Sequence, residues 1–540
     1  MKKILFCIIL ALAWLHNVCL AQYPGSFSFT EVPDLLSGTN PTFPLINMNV
    51  PAVGNSFFDL RFGTYLTRAT VTDGIRGRHE YSRFDPFNMD QSMIILDPEE
   101  LWNVYRTQSY PYNQATNLVI TVHLEEPRWD PDDPNLIWGL DEFTIKTVDV
   151  STKQVTVVKD FTQDPVIGPL ISQDHVFRIT TRDEGESSID KRYWAFFLQG
   201  DEQVDYNQRY IFTWDATEDS IIGVYEIAPN EVEVDYVGMS SLGNWVVIGG
   251  DPWNGGNLVG QVIANKELTQ FHNFGAIGHS DVGIDTDGNE VLVGQNTETD
   301  YIDLIPFDFN AQPIPLVRLF YASDSPYGFQ SGVHISCNVP GYCVVSTYIE
   351  PGLQEQNWLD RTIILITLDR QKPRAFNLTK IYNTTGSYWE ETHATITNDG
   401  SKVVWASNWN QNVGQEKVFL MQLNMPPNWK QLTTGIKDVP ILKPENVQLM
   451  QNYPNPFNPE TTIQFEIPFT GKHIVKVELS IYNLQGELIR TLLNEEKSSG
   501  IYQVHWDGLN EAGNRMATGI YLYRIRADEF DATKKMILMK

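Results

Sequence analysis

The chain has 540 residues, enough for more than one domain and for a large core. Its 67 acidic residues outnumber 39 lysines and arginines to give a formal charge of -28, spread along the chain, which sets it against nucleic acid as a partner. Strand-forming residues with 37 glycines and 30 prolines, and hardly any helical periodicity, point to an all-β protein.

The first residues read as an export leader. Lys2 and Lys3 precede an apolar run from Ile4 to Leu15, and Val18-Cys19-Leu20-Ala21 supplies small residues for cleavage before Gln22. Residues 1–21 are therefore expected to be a secretory signal peptide, too short for a membrane span, and no second long apolar run predicts a transmembrane segment. Cys19 raises a lipid-anchored alternative, for which His16-Asn17-Val18 is a poor context.

Residues 22–435, after an extension to about 54, carry blade-like units. A strand, a turn rich in Asp, Asn or Gly and a more apolar strand recur from Arg78, Glu125, Glu186, Asp235, Gly278, Gly332 and Glu391. Their spacing of roughly fifty residues suits four-stranded blades, so the expectation is a seven-bladed β-propeller. Thr397-Asn398-Asp399-Gly400 before Lys402-Val403-Val404-Trp405, and its counterpart in the unit before, resemble WD40-like repeats of the TolB type. That resemblance implies a shape and no activity. Residues 55–72 are expected to add an outer strand to the last blade and close the ring, and 436–446 to be a linker.

Aligning the blade turns puts His393 six residues before Asp399 and His334 six before Pro340, on innermost strands. The equivalent position one blade earlier is Asp281, with His279 two residues before it and so on the same strand face. Glu184 and Glu126 follow by the same count in less regular blades. Imidazoles and carboxylates converging on the channel are what one divalent metal ion needs, so His279, His334, His393 and Asp281 are the expected ligands. A histidine there could also take a proton α to the carboxylate of a uronic acid. The pattern is similar in kind to propeller-fold polysaccharide lyases, without a family motif, so no catalytic residue is assigned. The competing reading is that these groups only satisfy the ends of the inner strands.

Cys337 and Cys343 flank a turn-forming stretch and are expected to pair as a disulfide across a hairpin. Trp102-Asn103, Trp253-Asn254, Asn357-Trp358 and Asn408-Trp409-Asn410 set indoles beside amides, which suits a sugar platform or an anchor between blades. Asp285-Thr286-Asp287-Gly288 lacks the flanking ligands of a calcium loop and reads as a turn, and Gly278–Gly283 is one residue too long for a nucleophile elbow. Acid pairs such as Glu99-Glu100, Glu125-Glu126 and Asp132-Asp133 read as solvated surface.

The last ninety or so residues, 447–540, open on Gln451-Asn452-Tyr453-Pro454-Asn455-Pro456-Phe457-Asn458-Pro459, which cannot be helix. Val475, Val477, Leu479 and Ile481 then alternate with polar neighbours, and Gly500–Trp506 and Gly519–Ala527 read as further strands between Gly- and Asn-rich turns. The whole is a small sandwich of about seven strands. These segments with the closing TKKMILMK resemble the type A sorting domain of the type IX secretion system, carried by Asn452, Pro454, Asn455, Pro456, Phe457, Asn458, Pro459, Lys535 and Lys540. They also resemble the related flagellar-hook-cap type of immunoglobulin-like domain. The first resemblance implies export through the type IX machinery, followed by release or attachment at the cell surface. Two readings of the propeller stand: a binding module for a glycan or a surface protein, or a secreted metal-assisted polysaccharide lyase or hydrolase.

Overall fold

The computed structural model describes residues 29–433 and 448–539, apart from short stretches that include 46–48, 73–75, 97–100, 229–233, 251–257, 320–330 and 468–474. The expected signal peptide and linker, with Pro454, Lys540, Trp253 and Asn254, lie outside the described residues. The chain divides into two compact units, Met1–Val439 and Pro440–Lys540.

In the first unit, seven antiparallel sheets follow one another along the described residues. Blade 1 covers 93–122, blade 2 125–160, blade 3 176–226, blade 4 234–273, blade 5 277–318, blade 6 331–380 and blade 7 395–424. Within each blade consecutive strands pair with their neighbours, and the first strands of blades 5, 6 and 7 lie against one another, which makes the first strand the axial one. Middle strands are sandwiched on both faces and read as nearly continuous apolar runs. Tyr193–Gly200 (YWAFFLQG) and Thr362–Thr367 (TIILIT) are examples. The outermost strand of blade 2, Gln154–Asp160, is exposed along most of its length.

Packing shows that the ring closes. Each pair of neighbouring blades shares its own apolar core: Val104 with Ile137, Leu140 with Phe196, Phe197 with Val246, Val247 with Leu292, Leu304 with Val345, Leu365 with Val403, and Val404 and Leu420 with Ile94 across the junction of blades 7 and 1. Burial of each such side chain contributes about 1.5–3 kcal/mol. The N-terminal residues complete the closure, as residues 55–72 suggested. Thr64–Arg68 pairs with Phe419–Asn424 of blade 7, placing Leu66 opposite Leu423, and Ser56–Asp59 adds outside it. Thr30–Glu31 lies on the outer edge of blade 6.

The second unit holds a three-stranded and a four-stranded sheet. Val477, Leu479 and Ile481 on Val475–Asn483 are fully buried against Phe465, Trp506, Tyr523 and Ile525, the face that the sequence alternation marks. The proline-asparagine stretch ties the two ends of this unit together. The Asn455 Oδ1 accepts from the Ile537 N–H at 2.8 Å, the Phe457 N–H donates to the Ile537 carbonyl at 3.0 Å, and Asn452 donates through Nδ2 to Thr461 Oγ1 at 2.9 Å. Lys535 is exposed on the last strand, opposite Leu522.

Candidate metal centre in the propeller channel

Arg78–Arg83 (RHEYSR), which the repeat pattern assigns to the start of blade 1, instead runs across the axial strands of the other blades. Arg78 is buried and donates to the carbonyls of His79 at 2.8 Å and Trp389 at 3.3 Å. His79 Nε2 donates to the His393 carbonyl at 2.7 Å. Arg83 donates to the carbonyls of Ser280 at 2.6 Å and Glu184 at 2.7 Å, pairs with the Glu184 carboxylate at 3.2 Å and lies 4.0 Å from the centre of the Tyr236 ring. Glu80 pairs with Arg128 of blade 2 at 2.5 Å. This one hexapeptide therefore contacts blades 2, 3, 4, 5 and 7, and through Tyr81 blade 6.

Beside Tyr81 three imidazoles gather. His279 stacks on His334 with ring centres 4.6 Å apart, and His334 lies 4.0 Å from His393. Tyr81 stands 5.4 Å from His334 and 5.1 Å from His393, with Tyr348 and Tyr388 on further sides. Gly332 makes room for the Tyr348 ring, since a Cβ there would sit 2.0 Å from it. Glu391, two residues before His393, completes the group. Its Oε2 lies 2.7 Å from His334 Nε2 and 3.7 Å from His393 Nε2, and the donor atoms of His334, Glu391 and His393 all fall within 4.8 Å of one another.

The hydrogen bonds fix the tautomers. A carbonyl oxygen only accepts, so a ring nitrogen facing one carries the proton. His393 Nδ1 faces the Glu391 carbonyl at 3.1 Å and His279 Nδ1 faces the Val333 carbonyl. His393 Nε2 is then a bare lone pair, buried and without a hydrogen-bond partner, turned toward a carboxylate oxygen. His334 Nδ1 is likewise buried without a partner. Both rings have no exposed surface, and burial drives both well below the usual histidine range, so neither takes up a proton readily. Burial raises Glu391 in turn.

Sequence reasoning brings three of its four expected ligands, His279, His334 and His393, to one place, and misplaces the fourth. Asp281 turns away and caps the N–H groups of Cys337 at 2.6 Å and Val282 at 2.8 Å. The cause is a register shift between Ile277 and Ser280, which breaks the two-residue alternation that put Asp281 and His279 on one face. Glu126 is buried and accepts from the hydroxyl of Thr180 at 2.6 Å and from Thr181 through its N–H and hydroxyl, while Glu184 is held by Arg83. Glu391 escaped the count because it follows the 3-10 turn Tyr388–Glu390, outside any strand.

One further expectation is corrected. Cys337 and Cys343 are buried free thiols, not a disulfide. The pairing of Ser336 with Val344 does set them opposite each other, close enough for one thiol to hydrogen-bond the other, but both serve as small apolar residues in the core between blades 5 and 6. Of the two readings of the tryptophans, those among the described residues follow the anchor between blades. Trp358 and Trp409 are buried, Trp409 is stacked on Tyr382 at 4.3 Å, and the partly buried Trp102 packs into the core of blades 1 and 2.

Residues 455–530 match the FlgD Ig-like domain family, so the second unit carries an immunoglobulin-like domain. No curated protein matches the chain. Among solved structures it is similar to PorZ, a surface component of the type-IX secretion system of Porphyromonas gingivalis, at 13% identity and a TM-score of 0.32, over 93% of this chain and 61% of that one. It is also similar to a chain of the mitotic checkpoint complex at 11% identity and a TM-score of 0.36, over 70% of this chain and 98% of that one. A third is the extracellular domain of a B. thetaiotaomicron protein described as a one component system, at 9% identity and a TM-score of 0.34, over 90% and 62% of the two chains. Likenesses this slight assign no function.

Proposed function

We propose that this protein is carried across the outer membrane by the type IX secretion system through residues 447–540, and that its propeller is a binding module released from or displayed on the cell surface. The observation that carries the export half is the joining of the sorting-type residues at both ends of the second unit. Asn455 and Phe457 hold the strand Phe530–Leu538, so the motif and the C-terminal strand form one recognisable piece. The experiment compares export of the full chain with that of a chain ending at residue 440, in a bacterium possessing the machinery. The truncated chain should stay in the periplasm. Equal amounts of both in the medium or on the surface would overturn the export reading.

For the propeller, a binding role is supported by the way Arg78–Arg83 and its partners fill the channel with hydrogen-bonded groups. A second reading, a metal-assisted polysaccharide lyase or hydrolase, is favoured by one observation: Glu391 turns a histidine cluster into a two-histidine, one-carboxylate set of the kind found in catalytic zinc sites. Acidic polysaccharides incubated with the full chain and zinc should separate the two. New unsaturated-uronate absorbance that is lost in a His393→Ala variant would mark a lyase, and new reducing ends a hydrolase. Neither signal leaves the binding module.

A further inference from the structure

We propose that His334, Glu391 and His393 bind one divalent cation of zinc-like preference in the channel. The inference stands on the unmet lone pair of His393 and is independent of the export reading. His393 Nε2 presents an unpartnered lone pair 3.7 Å from Glu391 Oε2, and the same oxygen lies 2.7 Å from His334 Nε2, so a cation entering the group would meet the lone pair and the carboxylate together, with the His334 proton passing to its unpartnered Nδ1. A metal ion held by both groups would answer the carboxylate and the lone pair at once.

The donor set and spacing fit. Ligands about 2.0–2.2 Å from a tetrahedral zinc stand about 3.3 Å apart, and the Glu391 oxygen is 2.7 and 3.7 Å from the two Nε2 atoms, so small side-chain movements suffice. Two imidazoles and one carboxylate select a borderline metal over calcium or magnesium, which prefer oxygen alone. The His393 Nδ1–H donating to the Glu391 carbonyl is the outer hydrogen bond that orients a metal-bound histidine and strengthens its lone pair. Arg78 lies near enough for its charge to act on both His334 and His393, and this opposes a second cation. The Glu391 carboxylate is therefore indispensable. His279, stacked on His334, holds that ring from the far side.

The test uses the untagged full chain, stripped with a chelator and titrated with zinc sulfate, with bound metal measured by elemental analysis. The expected result is about one zinc per chain and a rise in thermal midpoint on loading. Glu391→Gln, which keeps the side-chain shape, should weaken binding at least tenfold and abolish the rise. His393→Ala should do the same. If His393→Ala does not fold, Glu391→Gln alone decides. No zinc uptake by the natural chain overturns the proposal. Uptake unchanged in Glu391→Gln overturns it too, by placing the ion elsewhere.

Discussion

The two sides of the channel meet the Arg78–Arg83 segment in different ways. Toward blades 2 to 5, acids face arginines: Arg128 reaches Glu80 at 2.5 Å and Glu186 at 2.9 Å, and Arg83 reaches Glu184 at 3.2 Å. Toward blades 6 and 7, two neutral imidazoles are left with nitrogens that find no hydrogen-bond partner. Similar residue types at similar positions thus do two jobs. Partnered groups on the first side tie blades to the central segment, and the unpartnered Nε2 of His393 on the other side is the nitrogen the proposed cation would use.

The largest effect expected from this contrast comes from breaking the paired side. Arg128→Leu leaves Glu80 and Glu186 without their guanidinium and should cost about 3–5 kcal/mol in urea unfolding at neutral pH. Burial already pushes Glu80 up to about 8 with the arginine present, so its carboxyl holds a proton in both proteins below that, and the cost should stay level between pH 5 and pH 7 and grow above pH 8. A loss below about 1 kcal/mol at both pH values would show that the paired side is not structural.

A smaller, pH-dependent effect follows at Asp281, which burial raises to about 7 against an ordinary value of 3.8. Between those values the folded chain binds the proton and the unfolded chain does not, so stability is full below the unfolded pKa and is lost as pH rises through the folded one. The ceiling is about 1.4 kcal/mol per pH unit. Asp281→Asn keeps a hydrogen-bond acceptor for Cys337 and Val282 but cannot titrate. Its thermal midpoint should fall less steeply than that of the natural chain between pH 4 and pH 7, and parallel profiles would remove Asp281 from the account.

The smallest effect is expected on the unpaired side. In metal-free protein, the Glu391→Gln amide oxygen can still accept from His334 Nε2, so stability should change by no more than about 0.5–1.5 kcal/mol. A loss above about 3 kcal/mol would mean that the charge of the carboxylate, beyond its hydrogen bond to His334, holds the folded channel together as the ion pairs across it do.

Much of this architecture is legible in the sequence because turns and alternation are local. The Asp-Gly and Asn-rich turns mark where hairpins fold, so the axial strands of blades 4, 5 and 6 begin within a residue of the expected starts, and Gly500–Trp506 and Gly519–Ala527 are strands from end to end. Blades 1 and 7 begin later than their expected starts, and blade 3 begins earlier. Its axial strand, Val176–Thr180, precedes the quoted unit and follows a short helix, Ile167–Gln173. The channel contents were less legible because they depend on which residues oppose each other across the ring. His79 meets a carbonyl 314 residues away, and no pattern within RHEYSR distinguishes a segment lying across a channel from a strand. One register shift sufficed to separate Asp281 from His279, and Glu391 lay on a turn that strand counting does not reach.

The most direct test of the contrast is the protonation of His393 itself, read by nitrogen-15 NMR on histidine-labelled full chain, assigned with a His393→Asn variant. The account predicts that Nε2 bears no proton in the chelator-treated protein and that its resonance moves when one equivalent of zinc is added. A protonated Nε2 near neutral pH, unmoved by zinc, would contradict it.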